Sequence, residues 1–389
     1  LAAFLGFDPY LCREVPLDRG EKRNQFMGGR DIEPITLWKD MKVKDLMEIF
    51  AGMGFNARRL AEAAEIYRRM IREGVNICLT LAGAMTPIGM GGVLITLLEK
   101  GWVDWIISTG ANLYHDLHRA YGFPMSQGDH LADDEELEAA GVARIYDVFI
   151  QEDETMLETD RVILSTFTDL KLDGPVSTAD LNYHLGLRVK ETARDPEKSF
   201  LSLAAELAVP IYVPAWGDSS IGMNMILNHL EGDSVSADPV LDILETAAIV
   251  RGAAENGALV VGGGAPKNFF MQTQPTLWQI LKDDQGGHDY FIQITTDAPH
   301  WGGLSGATAS EARSWGKVKN TRVNNVTVYA DAGIALPLLC ACLLSTAEPR
   351  RPRRLMDSKG ELLRELKERY LENTAYREQV KKAREYRRE

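Results

Sequence analysis

Apolar residues recur at helical spacing through "VKDLMEIFAGMGFNARRLAEAAEIYRRMIREG", residues 43–74, with one break at "GMGF", which predicts a pair of helices. The pattern then changes. "VNICLTLAG" is a continuous apolar run that predicts a buried strand, "GVLITLLEKG" predicts a helix, and "WVDWIISTG" predicts a second buried strand entering a polar turn at "ANLYHD". Strand, helix and strand at this spacing form a βαβ unit. Further along, "SLAAELAVPIYVPAWGDSSIG" reads as helix, strand and a Gly/Ser/Asp turn, and "DPVLDILETAAIVRGAAENG" as a helix. "ALVVGGG", "HDYFIQITTD" and "NNVTVYADAG" read as three more strands.

Apolar strands alternating with amphipathic helices predict an α/β fold, Rossmann-like, with a mostly parallel sheet covered by helices on both faces. Ligands of such sheets sit outside the carboxyl ends of the strands. Those ends carry "STGANLYHD", "PAWGDSSIG", "GGGAPKN", "TTDAPHWGGLSGA" and "YADAG". Three parts are expected: an irregular segment 1–30 containing Pro9 and Pro16, a single domain over 31–346, and a tail over 347–389. The tail begins with the linker "AEPRRPRR" and continues as a helix with acidic and basic residues at i,i+4 spacing, which suggests a solvated or subunit-packing helix.

Composition narrows the class. The 389 residues are 45% hydrophobic, enough for a substantial core, and no run of about 18 uncharged apolar residues appears. The first residues meet Asp8 and Arg13 too early for a signal sequence, so a cytoplasmic protein without a membrane span is expected. Cys12, Cys78, Cys340 and Cys342 lie in apolar surroundings without metal-ligand spacing and are expected to be buried thiols, with no metal site. The formal charge is −13, yet the tail holds 14 lysines and arginines against 9 acidic residues, leaving 29 against 47 in the body. An acidic body disfavours nucleic acid and suits a cationic ligand.

Three segments carry candidate chemistry. "GALVVGGGAPKN" puts three glycines straight after a strand, where free backbone N–H groups suit a phosphate or the turn is merely tight; it matches neither G-x-G-x-x-G nor a P-loop. In "TTDAPHWGGLSGATASEARSWGK", Thr295, Thr296 and Ser305 offer hydroxyls, Gly302, Gly303 and Gly306 permit bends, and Glu311 precedes Trp315 by four residues. A carboxylate beside an indole holds a protonated amine by charge and by cation–π attraction; the alternative is a surface Glu with a core Trp. Lys317 follows Gly316 just ahead of the last strand, and burial there would lower its pKa and make it an imine-forming nucleophile. Asp331 in "YADAG" is either a hydroxyl acceptor or a helix N-cap.

"GGGAPKN", "SGATASEARSWGK" and "VTVYADAGIALPLL", in this order, resemble the C-terminal half of the deoxyhypusine synthase family. The resemblance extends back through "PAWGDSSIG" and "VDWIISTGANLYHDL" to about Asp31 and forward to Leu344. It implies a homotetramer with NAD bound between paired subunits, and transfer of an aminobutyl group from spermidine, through an imine on Lys317, to an acceptor amine. By position it assigns Ser108, Thr109, Gly110, Asp218, Gly263, Gly264, Thr296, Gly302, Ser305, Asp331 and Ala332 to NAD, and Glu311 and Trp315 to the polyamine.

Other positions depart from the family pattern. A substrate-handling histidine becomes Asn268, an acidic pair becomes Tyr114-His115 ahead of the retained Asp116, and two aspartates become Met223 and Leu304. Asp297, His300 and Asn224 are the nearby candidates to replace them, with His115 and Asn268 standing at substrate positions. The pattern is that of a divergent branch such as the bacterial deoxyhypusine-synthase-like proteins. The acceptor is a protein lysine or a free diamine such as putrescine, the latter giving a homospermidine-synthase-like reaction. A third reading is a polyamine or NAD sensor without catalysis.

Overall fold

A computed structural model describes residues 31–385 apart from 173, 233–234 and 320–321. Cys12 and the segment expected to be irregular, 1–30, lie outside the described residues. Six strands, β1 (Asn76–Leu81), β2 (Trp105–Ser108), β6 (Ile211–Tyr212), β7 (Asn256–Val261), β8 (Tyr290–Thr295) and β9 (Asn325–Tyr329), form one sheet. Its order is β6-β2-β1-β7-β8-β9 and every neighbouring pair is parallel. Every residue of β1, β2, β6, β7 and β8 is buried, the reason these strands appear in the sequence as unbroken apolar runs.

The period-2 alternation of side chains splits the interior into two cores. Ile77, Leu79 and Leu81 of β1 join Leu259, Val261, Ile292 and Ile294 beneath the helices Val43–Gly52, Phe55–Glu73, Gly91–Glu99, Gly110–Tyr121 and Ala332–Thr346. Cys78, Trp105, Ile107, Ala258, Val260 and Phe291 face the other way, under Pro239–Arg251, Gly264–Pro275 and Leu355–Glu372. Cys78, Cys340 and Cys342 are buried free thiols.

From β1 the chain proceeds through β2 to β6 at one edge, and from β7 through β8 to β9 at the other. The direction therefore reverses between β1 and β7, the position at which sheets of this kind bind their ligands.

Two stretches differ from the sequence expectation. "ANLYHD" is not a turn: β2 runs through Thr109 directly into the helix Gly110–Tyr121. Residues 123–200, for which the apolar pattern gave no elements, hold a three-stranded antiparallel sheet of β3 (Met125–Gln127), β4 (Val142–Ile145) and β5 (Val148–Gln151), order β3-β5-β4, and the helices Glu158–Asp169 and Thr178–Thr192. Strands of three or four residues are too short to display a period.

The charged tail packs back on the chain. It forms two helices, Leu355–Glu372 and Thr374–Glu385, and Leu366 is buried in the second core with Leu362 and Leu363 against it. Its linker penetrates further: Arg350 donates to Asp104 at 2.9 Å, to Gly101 O and to Val75 O, and Asp104 is buried. Lys359 bridges Asp180 and the buried Glu245. Among the described residues no helix is long and apolar enough to cross a membrane.

Candidate active site

The triple glycine after β7 forms the turn its sequence suggested, for reasons of both conformation and space. Gly262 and Gly264 have φ of +75° and +55°, and a Cβ on Gly263 would overlap the backbone of Ser305. Gly264 N–H donates to Ser305 Oγ at 2.8 Å, and the helix Gly264–Pro275 starts there. Lys267, on the first turn of that helix, is buried and donates to Gln293 Oε1 at 3.0 Å, Ser305 O at 3.1 Å and Ala307 O at 2.5 Å. Gln293 in turn donates to Gly262 O and Ser305 O. Lys267 and Gln293 thus clamp the loop after β8 onto the turn after β7. Burial lowers the Lys267 pKa to about 8 against the opposing pull of Glu311 and Asp297.

The turn after β2 is fixed by Asn112, which the sequence reading passed over. Its buried carboxamide donates to Ser108 Oγ, Thr109 Oγ1 and Gly83 O and accepts from Met85 N–H at 2.7 Å. Thr109 Oγ1 also donates to Gly83 O, which ties the loops after β1 and β2 together. Gly110 is needed for contact: a Cβ there would overlap the Ser219 side chain, next to the exposed Asp218 on the loop after β6. Asp331 and Ala332 follow β9. Asp331 occupies the N-cap position of Ala332–Thr346 without a side-chain capping bond, so its exposed carboxylate is free for another partner.

Lys317 sits in a short connection pinned on both sides. Its N–H donates to Ala312 O and its carbonyl accepts from His288 N–H at 2.9 Å, while Val318 bridges His288 in parallel. Strand β9 begins only at Asn325, so the lysine precedes a bridge, not the strand itself. Lys317 Nζ lies 5.6 Å from the centre of the Trp315 ring. The indole is 61% exposed, which removes the reading of Trp315 as a core residue. Burial lowers the Lys317 pKa below the ordinary lysine value, and Glu311, on the helix Ala309–Ser314 capped by Thr308, pulls it back up. Glu311 is thus within electrostatic reach of both Lys267 and Lys317, and Asp297 of Lys267. Thr296, His300 and Gly302 are exposed on the adjoining loop, and Asn268 is half-buried one residue beyond Lys267.

The Tyr114-His115 pair lies on the opposite flank, on the helix after β2. Tyr114 OH donates to Met156 O and to Asp160 Oδ1 at 3.1 Å, and Asn224 Nδ2 donates to the same oxygen at 2.7 Å. Tyr114, His115 and His118 meet edge to face, with centroids 5.0 to 5.5 Å apart. Burial lowers the His115 pKa to about 4 and that of His118 to about 3, so both are neutral near pH 7. Asp116 serves as a structural acceptor. It is buried and accepts from Ser199 Oγ, Phe200 N–H and Leu201 N–H at the start of the helix Phe200–Glu206.

Known proteins are similar to this chain. The deoxyhypusine synthase family model matches residues 45–343. A deoxyhypusine synthase-like protein of Nostoc punctiforme is 41% identical over 353 residues, covering 88% of this chain and 90% of the relative. A Methanosarcina mazei protein named as a deoxyhypusine synthase is 41% identical over 308 residues, covering 78% and 87%. A crystal structure from Entamoeba histolytica assigned as a deoxyhypusine synthase superposes with a TM-score of 0.53 at 17% identity, over 82% of this chain and 99% of that one, a likeness of fold.

Proposed function

This chain belongs to the deoxyhypusine synthase family, and on that premise we propose that it transfers an aminobutyl group from spermidine or a related polyamine to an acceptor amine through an imine on Lys317. The observation that carries the reading is Lys317 itself: half-buried, pinned at its backbone, below its ordinary pKa and beside Trp315 and Glu311. A lysine attacks only as the free base, and desolvation enlarges that fraction near neutral pH.

NAD fits the crevice between β1 and β7. The glycine turn after β7 borders it, with Gly262 and Gly264 at positive φ, and the exposed Asp218 and Asp331 carboxylates suit ribose hydroxyls. Ser108, Thr109, Gly110, Gly263, Gly264, Thr296, Gly302, Ser305 and Ala332 are the other residues assigned to hold it. When bound, NAD supplies the acceptor, and later the donor, of a hydride. The residues of the chain do the rest: Glu311 and Trp315 hold the ammonium, and the free amine of Lys317 displaces 1,3-diaminopropane from the oxidised carbon. The aminobutyl imine on Lys317 is then released when an acceptor amine displaces the lysine.

Lys317 and the Ser108–Gly110 turn lie on different flanks of one chain's sheet. From β2 to β8 are three strand steps, about 14 Å at the usual spacing. A pair of chains, each supplying one flank to the other, completes a site that one chain leaves open, in keeping with the tetramer implied by the resemblance. The acceptor is a protein lysine or a free diamine, and competition between putrescine and a protein acceptor separates them.

The test is trapping with borohydride after incubation with NAD and spermidine in the absence of acceptor. The expected result is an aminobutyl adduct on the Lys317 peptide with release of 1,3-diaminopropane, both lost in Lys317→Arg. Spermidine and NAD bound without adduct or diaminopropane would instead establish a sensor.

A further inference from the structure

Asp160 belongs to no motif, yet the structure places it at the meeting point of three helices on the β2–β6 flank. Tyr114 comes from the helix after β2, Asn224 from the helix Ser220–Leu230 after β6, and Asp160 from Glu158–Asp169. Both neutral donors converge on one oxygen, Oδ1, at 3.1 and 2.7 Å. Among the described residues Oδ2 accepts no hydrogen bond and Asp160 pairs with no cation; the neighbouring Arg161 is engaged with Glu158. The carboxylate is half-buried, so its charge is less screened than that of a surface aspartate.

The surroundings supply further acceptors. Asn224 spends its amide N–H groups on Asp160 and on Ser220 O, which leaves its Oδ1 free to accept. His115 Nδ1 is buried without a partner, and both nitrogens of the fully buried His118 are likewise unpartnered, with the two rings packed on Tyr114. Being neutral, these imidazoles do not repel a cation. An oriented carboxylate with one open oxygen, a free amide oxygen and an aromatic wall together suit a primary ammonium, which has three donors to place.

We propose that Asp160, oriented by Tyr114 and Asn224, is the carboxylate that receives a terminal ammonium of the polyamine. This rests on the polyamine reading above and deepens it: on this flank Asp160 provides the negative charge that the Tyr114-His115 sequence lacks.

The experiment is equilibrium dialysis of labelled spermidine and putrescine against the full chain with NAD, run in parallel with the diaminopropane assay. Asp160→Asn keeps the shape and removes the charge; it is expected to weaken spermidine binding about tenfold or more, with Asp160→Glu recovering most of the loss. Asn224→Asp puts a second carboxyl at the same point, and because such a pair shares a proton near neutrality, binding is expected to tighten several-fold as pH rises and that proton leaves, a gain that general destabilisation does not produce. Wild-type affinity in both Asp160→Asn and Asn224→Asp overturns the proposal. If the wild type releases diaminopropane while those variants bind unchanged, only the Asp160 subsite falls. If Asp160 governs amine binding and no diaminopropane appears, the transfer reading falls while the subsite stands.

Discussion

At the scale of single residues, the reactivity assigned to Lys317 is a balance of two opposed influences. Burial disfavours the ammonium and Glu311 favours it. Removing the carboxylate charge in Glu311→Gln therefore lowers the Lys317 pKa further. Because trapping needs the free amine, its rate rises with pH through that pKa, so the rising limb of the pH–rate profile at saturating polyamine should move to lower pH. The same change should weaken spermidine binding about tenfold, since a charged partner is lost. A profile that stays in place would mean Glu311 does not act on the lysine. Lys317, Glu311 and Trp315 were legible because their chemistry is compressed into seven consecutive residues. Asp160 and Asn112 were not, because each acts through contacts with residues distant in sequence, and nothing in "LETD" or "GANLYHD" distinguishes either from an ordinary helix residue.

At the scale of elements, long apolar runs predicted the buried strands correctly because both faces of the sheet are covered, and the helix pair at residues 43–74 announced itself by its period. Where burial is one-sided or elements are short, as in β3, β4 and β5, no such signal exists. The tail shows a different limit. Its alternating charges suggested a solvated or subunit-packing helix, but Lys359 and Arg350 meet buried carboxylates of the same chain, and a narrow stripe of Leu362, Leu363 and Leu366 is enough to dock the helix. A helix predominantly charged on its surface can still complete a core. Arg350→Met tests this directly. It leaves Asp104 buried without its closest cation and strands the carbonyls of Gly101 and Val75, so a loss of about 3–5 kcal/mol in urea unfolding is expected. A change under about 1 kcal/mol would show that the linker contributes little to stability.

At the scale of the whole molecule, the sheet order itself argues for a shared site. The reversal between β1 and β7 sets the switch point at the centre of the sheet's C-terminal edge, but it also sends Lys317 to one side and the helix carrying Asp160 to the other. A reaction that needs both in contact with one polyamine requires that the flanks of two chains face each other. The consequence can be measured without knowing the acceptor. Co-expression of Lys317→Arg chains with chains carrying Asp160→Asn places the defects on opposite flanks. In a mixed pair, one site collects both lesions and the other neither. Random pairing makes half the pairs mixed, so about a quarter of wild-type diaminopropane release should return, although each variant alone is inactive or nearly so. Were each site built within one chain, every site in every pair would carry a lesion, and mixing would restore nothing. The recovered fraction therefore reads out the geometry of the site from activity alone.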